Sequence, residues 1–274
     1  MLNKSLFQSI KDGLNKADEK SSSKDILRFE PGNTYVVRLL PNDKDPSNTF
    51  LKYYVHKWQS FATGQTVTAT SPTTFGERDP ISEERFRYIR TGSAEEKTKA
   101  ESIRRQEKFA CNVYVIEDSK TPENKGTVKM IRYGKQLEKI ISAAMNEDAD
   151  ELGPKIFDLS PDGVNLKIKV EMQGDFPTFV SSRFTNSVDL GLSSKKIEEI
   201  YKSTHDVTSI VSVKSYDELK EFFTTHFAAN AESKPTVKKT ESKAKSAPVE
   251  QTETVAPDSE LSESEVADLL KDLE

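Results

Sequence analysis

The feature that most limits the fold is the point at which aromatic and β-branched residues stop. From about Ile26 to Phe227 the chain carries nearly all its rings, its only tryptophan and its strand-like alternations. After Phe227 comes "AANAESKPTVKKTESKAKSAPVEQTETVAPDSE", largely Ala, Ser, Thr, Pro, Lys and Glu with no ring. Such a segment cannot bury enough apolar surface to offset its chain entropy. Hydrophobic residues fill only 34% of the 274 positions, low for a packed chain of this length, so part of it is expected to stay unfolded. The expected organisation is an arm over 1–24, a folded core over 25–228, a disordered linker over 229–257 and an acidic tail over 258–274.

Charge follows the same division. From Glu250 to Glu274 there are nine acids and one base, a charge of −8 within a total of −5, which leaves +3 upstream. The core is therefore mildly basic, although the average charge argues against a polyanionic partner. Cys111 is the single cysteine and can form no intramolecular disulfide, and no charged opening with an apolar run precedes the core. An intracellular compartment is expected. No stretch approaches the roughly 18 apolar residues of a membrane span, so no membrane partner is expected.

Within the core, "TYVVRLLP", "FLKYYVHKW", "QTVTAT", "CNVYVIED", "GTVKMIRYG" and "VNLKIKVEM" have the β-branched and aromatic content of strands. Helical periodicity appears over "EERFRYIRTGSAEEKTKAESIRRQEK", "KQLEKIISAAM", "SSKKIEEIYKST" and "SYDELKEFFTTHF", where Ser215 with Glu218 three residues on makes a capping box. Short antiparallel strands with helices between and after them predict an α+β, mainly β chain. A five-stranded OB-type barrel with helical additions is one candidate among such arrangements. In the first 24 residues Leu2, Leu6, Ile10 and Leu14 stand four apart with lysines between them, as in a short amphipathic helix. It either packs on the core or docks on another copy or a partner.

Signs of catalysis are few. There is no G-x-S-x-G, no phosphate-cradling G-x-x-x-x-G-K-[ST] and no H-E-x-x-H, and His56, His205 and His226 lie far apart in sequence. The acids Glu77, Asp79, Glu83 and Glu84 have the composition of a metal site, but a charge run in a turn is usually only solvated. Bases and rings interleave more tellingly over 103–140. Arg104, Arg105 and Lys108 precede Phe109, and after a turn come Lys129, Arg132, Tyr133 and Lys135. A groove for single strand needs cations to follow phosphates and ring faces to stack bases, the latter worth about 1–3 kcal/mol per base. The competing reading makes Phe109 and Tyr114 core residues and the lysines a wet face.

At "SKTPENKGTVKMIRYGKQLEKI" the chain resembles the helix-destabilising single-stranded DNA-binding proteins of T-even-type bacteriophages. The likeness extends to "YVVRLLPNDKD" and "GVNLKIKVEMQGDFPTFVSSRF" and returns at "SEVADLLKDLE". It implies an OB-fold with a basic, ring-lined cleft. Phe109 then falls on a cleft ring, Arg132 and Tyr133 on a cleft arginine and its neighbouring ring, and Phe176 and Phe179 on rings of an aromatic loop. On the same resemblance Ala110 stands where the family has a large aromatic, and Tyr88 and Phe86 are further candidate rings for the cleft. The family carries a structural zinc on one His and three Cys. Here His56 falls on the His, but Ser71, Asp79 and Ser82 stand at the cysteine positions, so no zinc and no other cofactor is expected. The family's self-association arm is matched dilutely by Lys4, Ser5, Leu6, Ile10 and Lys11.

The resemblance also gives the last residues a use. Val266, Leu269, Leu270 and Leu273 form an apolar face among Asp268, Asp272 and other acids, suited to a partner's groove. On a flexible linker, an acidic end competes for a basic cleft at a high effective concentration. The expected protein is a non-enzymatic coat for single-stranded DNA in phage replication, recombination and repair, in the cytoplasm of the infected bacterial host. Its partners would be other copies of itself and the phage's replication and recombination proteins. The rival readings are an RNA-binding OB protein and an adaptor acting through its acidic tail.

Overall fold

The computed structural model describes residues 25–146 and 148–228. The arm positions Lys4, Ser5, Leu6, Ile10 and Lys11 lie outside the described residues, as do the linker and the tail positions Val266, Asp268, Leu269, Leu270, Asp272 and Leu273. In chain order the described part runs β1 (Ile26–Leu27), β2 (Thr34–Leu40), β3 (Phe50–Gln59), β4 (Thr66–Thr70), α1 (Pro80–Thr91), α2 (Ala94–Ser102), β5 (Arg105–Asp118) and β6 (Val128–Tyr133). It continues through α3 (Lys135–Asn146), β7 (Val164–Lys169), β8 (Glu171–Gln173), β9 (Phe176–Thr178), β10 (Arg183–Ser187), α4 (Ser194–Lys202) and α5 (Tyr216–Phe223). None of these helices is long and apolar enough to cross a membrane.

The sheet is organised by β5. Its second half pairs antiparallel with β2, from Leu40 opposite Asn112 to Tyr35 opposite Asp118. Its first half pairs with β3, from Phe50 opposite Cys111 to His56 opposite Arg105. The main path runs β1-β6-β5-β2-β7-β10, with β4 on the far side of β3, while β8 and β9 form a separate hairpin. The described sheet thus links eight strands, more than the five expected, because β5 is long enough to hold two successive strands along one edge.

Alternation sets the core. Tyr35, Val37 and Leu39 of β2 meet Phe109, Cys111, Val113 and Val115 of β5 and Leu166 and Ile168 of β7 in one cluster. Helix α3 closes this cluster with Leu137, Ile141 and Ala144, spaced four and three apart so that they share one face. The other face of β5 is covered too, with Ala110 against Tyr53, Met130 and Ile210. That double coverage explains why "ACNVYVI" is almost continuously apolar. Arg38, between the inward residues of β2, is fully buried. Its guanidinium donates to Asn165 Oδ1 at 2.7 Å and to the carbonyls of Asp158 at 2.9 Å, Ser160 at 2.8 Å and Val188, so the loop ends are tied together without a carboxylate partner.

One element differs from expectation. The helical periodicity reaching Lys108 breaks into two helices and a strand. Gly92, at φ 77°, ends α1 in the left-handed region, and the Ser93 side chain caps α2 by accepting from the Glu96 amide. From Arg105 the ladder to β3 overrides local helical preference. A second cluster holds the helical insertion between β4 and β5 together: Trp58 of β3 packs with Ile81, Ile103, Leu219, Phe223 and Phe227. Helix α5 begins at the expected capping box and continues into a π-type turn over Thr224–Ala228.

Candidate nucleic-acid interface

Because β5 outruns β2, its first half pairs with β3 in an extension of the sheet that has two distinct faces. Directly opposed residues in an antiparallel pair share a face. One row therefore holds Lys52 with Phe109 and, across β6, Tyr133; the next holds Tyr54 with Glu107; the next holds His56 with Arg105. Of these, Phe109 and Tyr133 are buried and stack on each other at 5.6 Å and 22°, and His56 is fully buried as well. Between them Tyr54, Glu107 and Arg105 are partly exposed. The Arg105 guanidinium lies 4.2 Å from the centre of the half-exposed Tyr54 ring, and Lys52 Nζ is 5.4 Å from the same ring. Glu107 sits between Lys52, at 3.0 Å, and Lys135 of α3, at 3.3 Å. Burial pushes the Glu107 carboxyl up, but the two ammonium groups outweigh it and hold the pKa below the ordinary carboxylate value. The surface is a partly exposed ring among three cations and one acid.

The opposite face carries Tyr53 with Lys108, and Leu51, Ala110 and Arg132 in one row. Lys108 is half-buried, and burial together with the nearby Lys57 lowers its pKa. Arg132 is exposed but donates to the Ile210 carbonyl, so adjacent Arg132 and Tyr133 point to opposite sides of β6. Arg104 is exposed and pairs with Glu101 at 3.7 Å, while Lys129 stands opposite Val113. Tyr88 is on α1, 6.4 Å from Phe227, and packs against the Trp58 cluster. Phe179 anchors the β8–β9 hairpin: its ring is 5.5 Å from Phe29 and its amide donates to Gln136 of α3 at 2.9 Å. Phe176 is presented at the other end of β9, 76% exposed.

The sequence-based candidates thus separate into a face with Arg105 and Lys135, a reverse side with Lys108 and Arg132, a buried Phe109–Tyr133 pair, and an outlying Phe176. Lys52 and Tyr54 were missed. The signal was present in "FLKYYVHKW", where a base and a ring stand two apart, but only the register shows that they meet Arg105.

At the His56 end of this face His56, Ser71, Asp79 and Ser82 come together. Asp79 precedes α1 and accepts through Oδ1 from the amides of Ile81 at 2.9 Å and Ser82 at 3.2 Å. Its Oδ2 accepts from His56 Nε2 at 2.8 Å, from Ser82 Oγ at 3.2 Å and from Ser71 Oγ. His56 Nδ1 faces the Ile103 carbonyl at 2.7 Å, so both ring nitrogens meet acceptors. Burial pushes the Asp79 carboxyl up, but His56, the Ser71 hydroxyl and the Ser82 amide override it and hold the pKa at about 2. The zinc that the resemblance implies is not matched by these donors. Two neutral hydroxyls, one imidazole and a carboxylate already accepting five hydrogen bonds differ from the thiolate-rich tetrahedron of a structural zinc. The neighbouring acids are dispersed, Glu83 to Arg78 and Tyr216, Glu84 to Arg87. Among the described residues no group of three or more His, Cys, Asp or Glu side chains is arranged to hold a metal.

A partly exposed ring with cations beside it has the chemistry to stack a base and follow phosphates. The chain belongs to the family described as gp32 DNA binding protein like, whose profile matches residues 32–227. It is similar to the single-stranded DNA-binding proteins of Enterobacteria phage T4 and Enterobacteria phage T2, 26% identical to each over 199 residues. Those alignments cover 69% of this chain, and the chain spans 64% of the length of either relative.

Proposed function

We propose that the protein is a sequence-independent, non-enzymatic binder of single-stranded DNA. The carrying observation is the Arg105 guanidinium on the partly exposed Tyr54 ring, with Lys52 and Lys135 beside it, inside the segment that the family profile matches. Phosphates follow the cations, and a base stacks on Tyr54 or on the projecting Phe176. The sheet around β5 is read as an OB-type barrel with the β3–β4 and α1–α2 region as its addition. On this reading the protein coats single strand during phage DNA replication, recombination and repair in the infected bacterial cytoplasm. Copies associate along the strand through the arm, and the acidic end competes with DNA and recruits partner proteins. Neither zinc nor any other cofactor takes part.

The test is anisotropy of a labelled oligo-dT with the full chain across a salt series, with duplex and oligo-rU as competitors. Tight single-strand binding, weak duplex binding and a log–log salt slope of roughly −0.7 per phosphate neutralised are expected. Preference for oligo-rU would move the reading to RNA. Negligible binding with no salt dependence would favour an adaptor that acts through its acidic end.

A further inference from the structure

We propose that Thr73 is a positioning residue for the nucleic-acid face. It ties the Arg105–Tyr54 pair to the buried His56–Asp79 cluster, and that cluster does its work with no metal ion. This inference rests on the single-strand reading of the Tyr54 face.

The path is continuous. Arg105 Nη1 donates to Thr73 Oγ1 at 2.7 Å, Thr73 Oγ1 lies 2.8 Å from Ser71 Oγ, and Ser71 Oγ donates to Asp79 Oδ2. Proton counting fixes its direction. A hydroxyl has one proton to donate. That of Ser71 goes to the carboxylate, which can only accept, so Ser71 must accept from Thr73. Thr73, having donated, accepts from Arg105. Every link points towards Asp79, and its negative charge polarises the chain and orients the cation at its far end.

The same loop also holds the ring. The Tyr54 amide donates to Thr74 Oγ1 at 3.0 Å, and the Ser71 amide donates to the Tyr54 carbonyl at 2.9 Å. Residues 71–74 therefore fix both members of the cation–ring pair, one through its guanidinium and the other through its backbone. Asp79 anchors the loop from beneath while capping α1. In the T-even-type relatives, the resemblance places a zinc ion where this cluster stands. Here the anchor is a hydrogen-bonded carboxylate, and its line of hydroxyls runs out to the face. Thr73 is only half-buried, so it can be changed without opening the core.

The experiment uses the full chain and labelled oligo-dT. Thr73→Val removes the hydroxyl at nearly constant shape and is expected to weaken binding ~3–10-fold, the range of one lost hydrogen bond, with the thermal midpoint little changed. Thr73→Ser restores the hydroxyl and should restore affinity. Arg105→Ala alone and combined with Thr73→Val should give nearly equal affinities, because Thr73 acts through Arg105. Metal analysis should find no stoichiometric zinc, and a strong chelator should change neither affinity nor midpoint. Wild-type affinity in Thr73→Val, additive losses in the double variant, or a chelator-sensitive stoichiometric zinc would overturn the inference while leaving single-strand binding intact. If the wild-type chain itself fails to bind oligo-dT, the functional reading falls and the inference falls with it.

Discussion

Asp79 shows how much of the insertion depends on one side chain. Its carboxyl has a folded pKa of about 2 against an ordinary value of 3.8, so the folded state binds its proton more weakly than the unfolded chain does. The stabilisation is therefore fully present above the ordinary value and is lost as pH falls from about 4 through about 2; it amounts to about 2 kcal/mol. Asp79→Asn should lower the thermal midpoint at neutral pH, and the gap to wild type should close over that acid window. Parallel midpoint curves for the two chains would show that the carboxylate is not the stabilising group. The sequence suggested the convergence of His56, Ser71, Asp79 and Ser82 only through the family resemblance. Nothing in their spacing brings a strand residue to a helix cap across 23 positions. Thr73 was illegible for the same reason, since its importance lies in where its hydroxyl points.

At the scale of elements, helix α5 illustrates what was legible. Ser215 and Glu218 announced its start, and both hydrogen bonds of the capping box form. What the sequence did not disclose was its destination. Phe223 lies 5.7 Å from Trp58 and 4.8 Å from Phe227, so the last described helix is the lid of the insertion's core. Phe223→Ala should cost about 3–5 kcal/mol where it packs. Trp58 is the only tryptophan, so its emission reports this cluster alone and should shift to the red. Emission unchanged from wild type would mean that α5 does not seal it. The stretch over 83–108 misled by the same logic. Its charges satisfy a helical period, but pairing to β3 is a long-range term that periodicity does not contain. Strand register was likewise unreadable, and register decides that Lys52 and Tyr54 share a face with Arg105 while Lys108 and Arg132 turn away.

For the whole molecule the decisive quantity is the separation of charge, −8 over the last 25 residues and +3 on the rest. If the acidic end competes with DNA for the cationic face, apparent affinity is the intrinsic affinity reduced by the fraction of time the end occupies it. Salt weakens both attractions, because each is a polyanion meeting the same lysines and arginines. At low salt the competitor is strong and the full chain lags well behind a form ending near Ala247. As salt rises the competitor lets go first from a face that it holds with few charges, and the two affinities approach one another. The shortened form should therefore bind more tightly and show the steeper log–log salt slope. Parallel slopes with a constant offset would remove the acidic end from the face and leave it only a role in recruiting partners. A shortened form that binds less well would mean that the end assists binding, which electrostatic competition forbids.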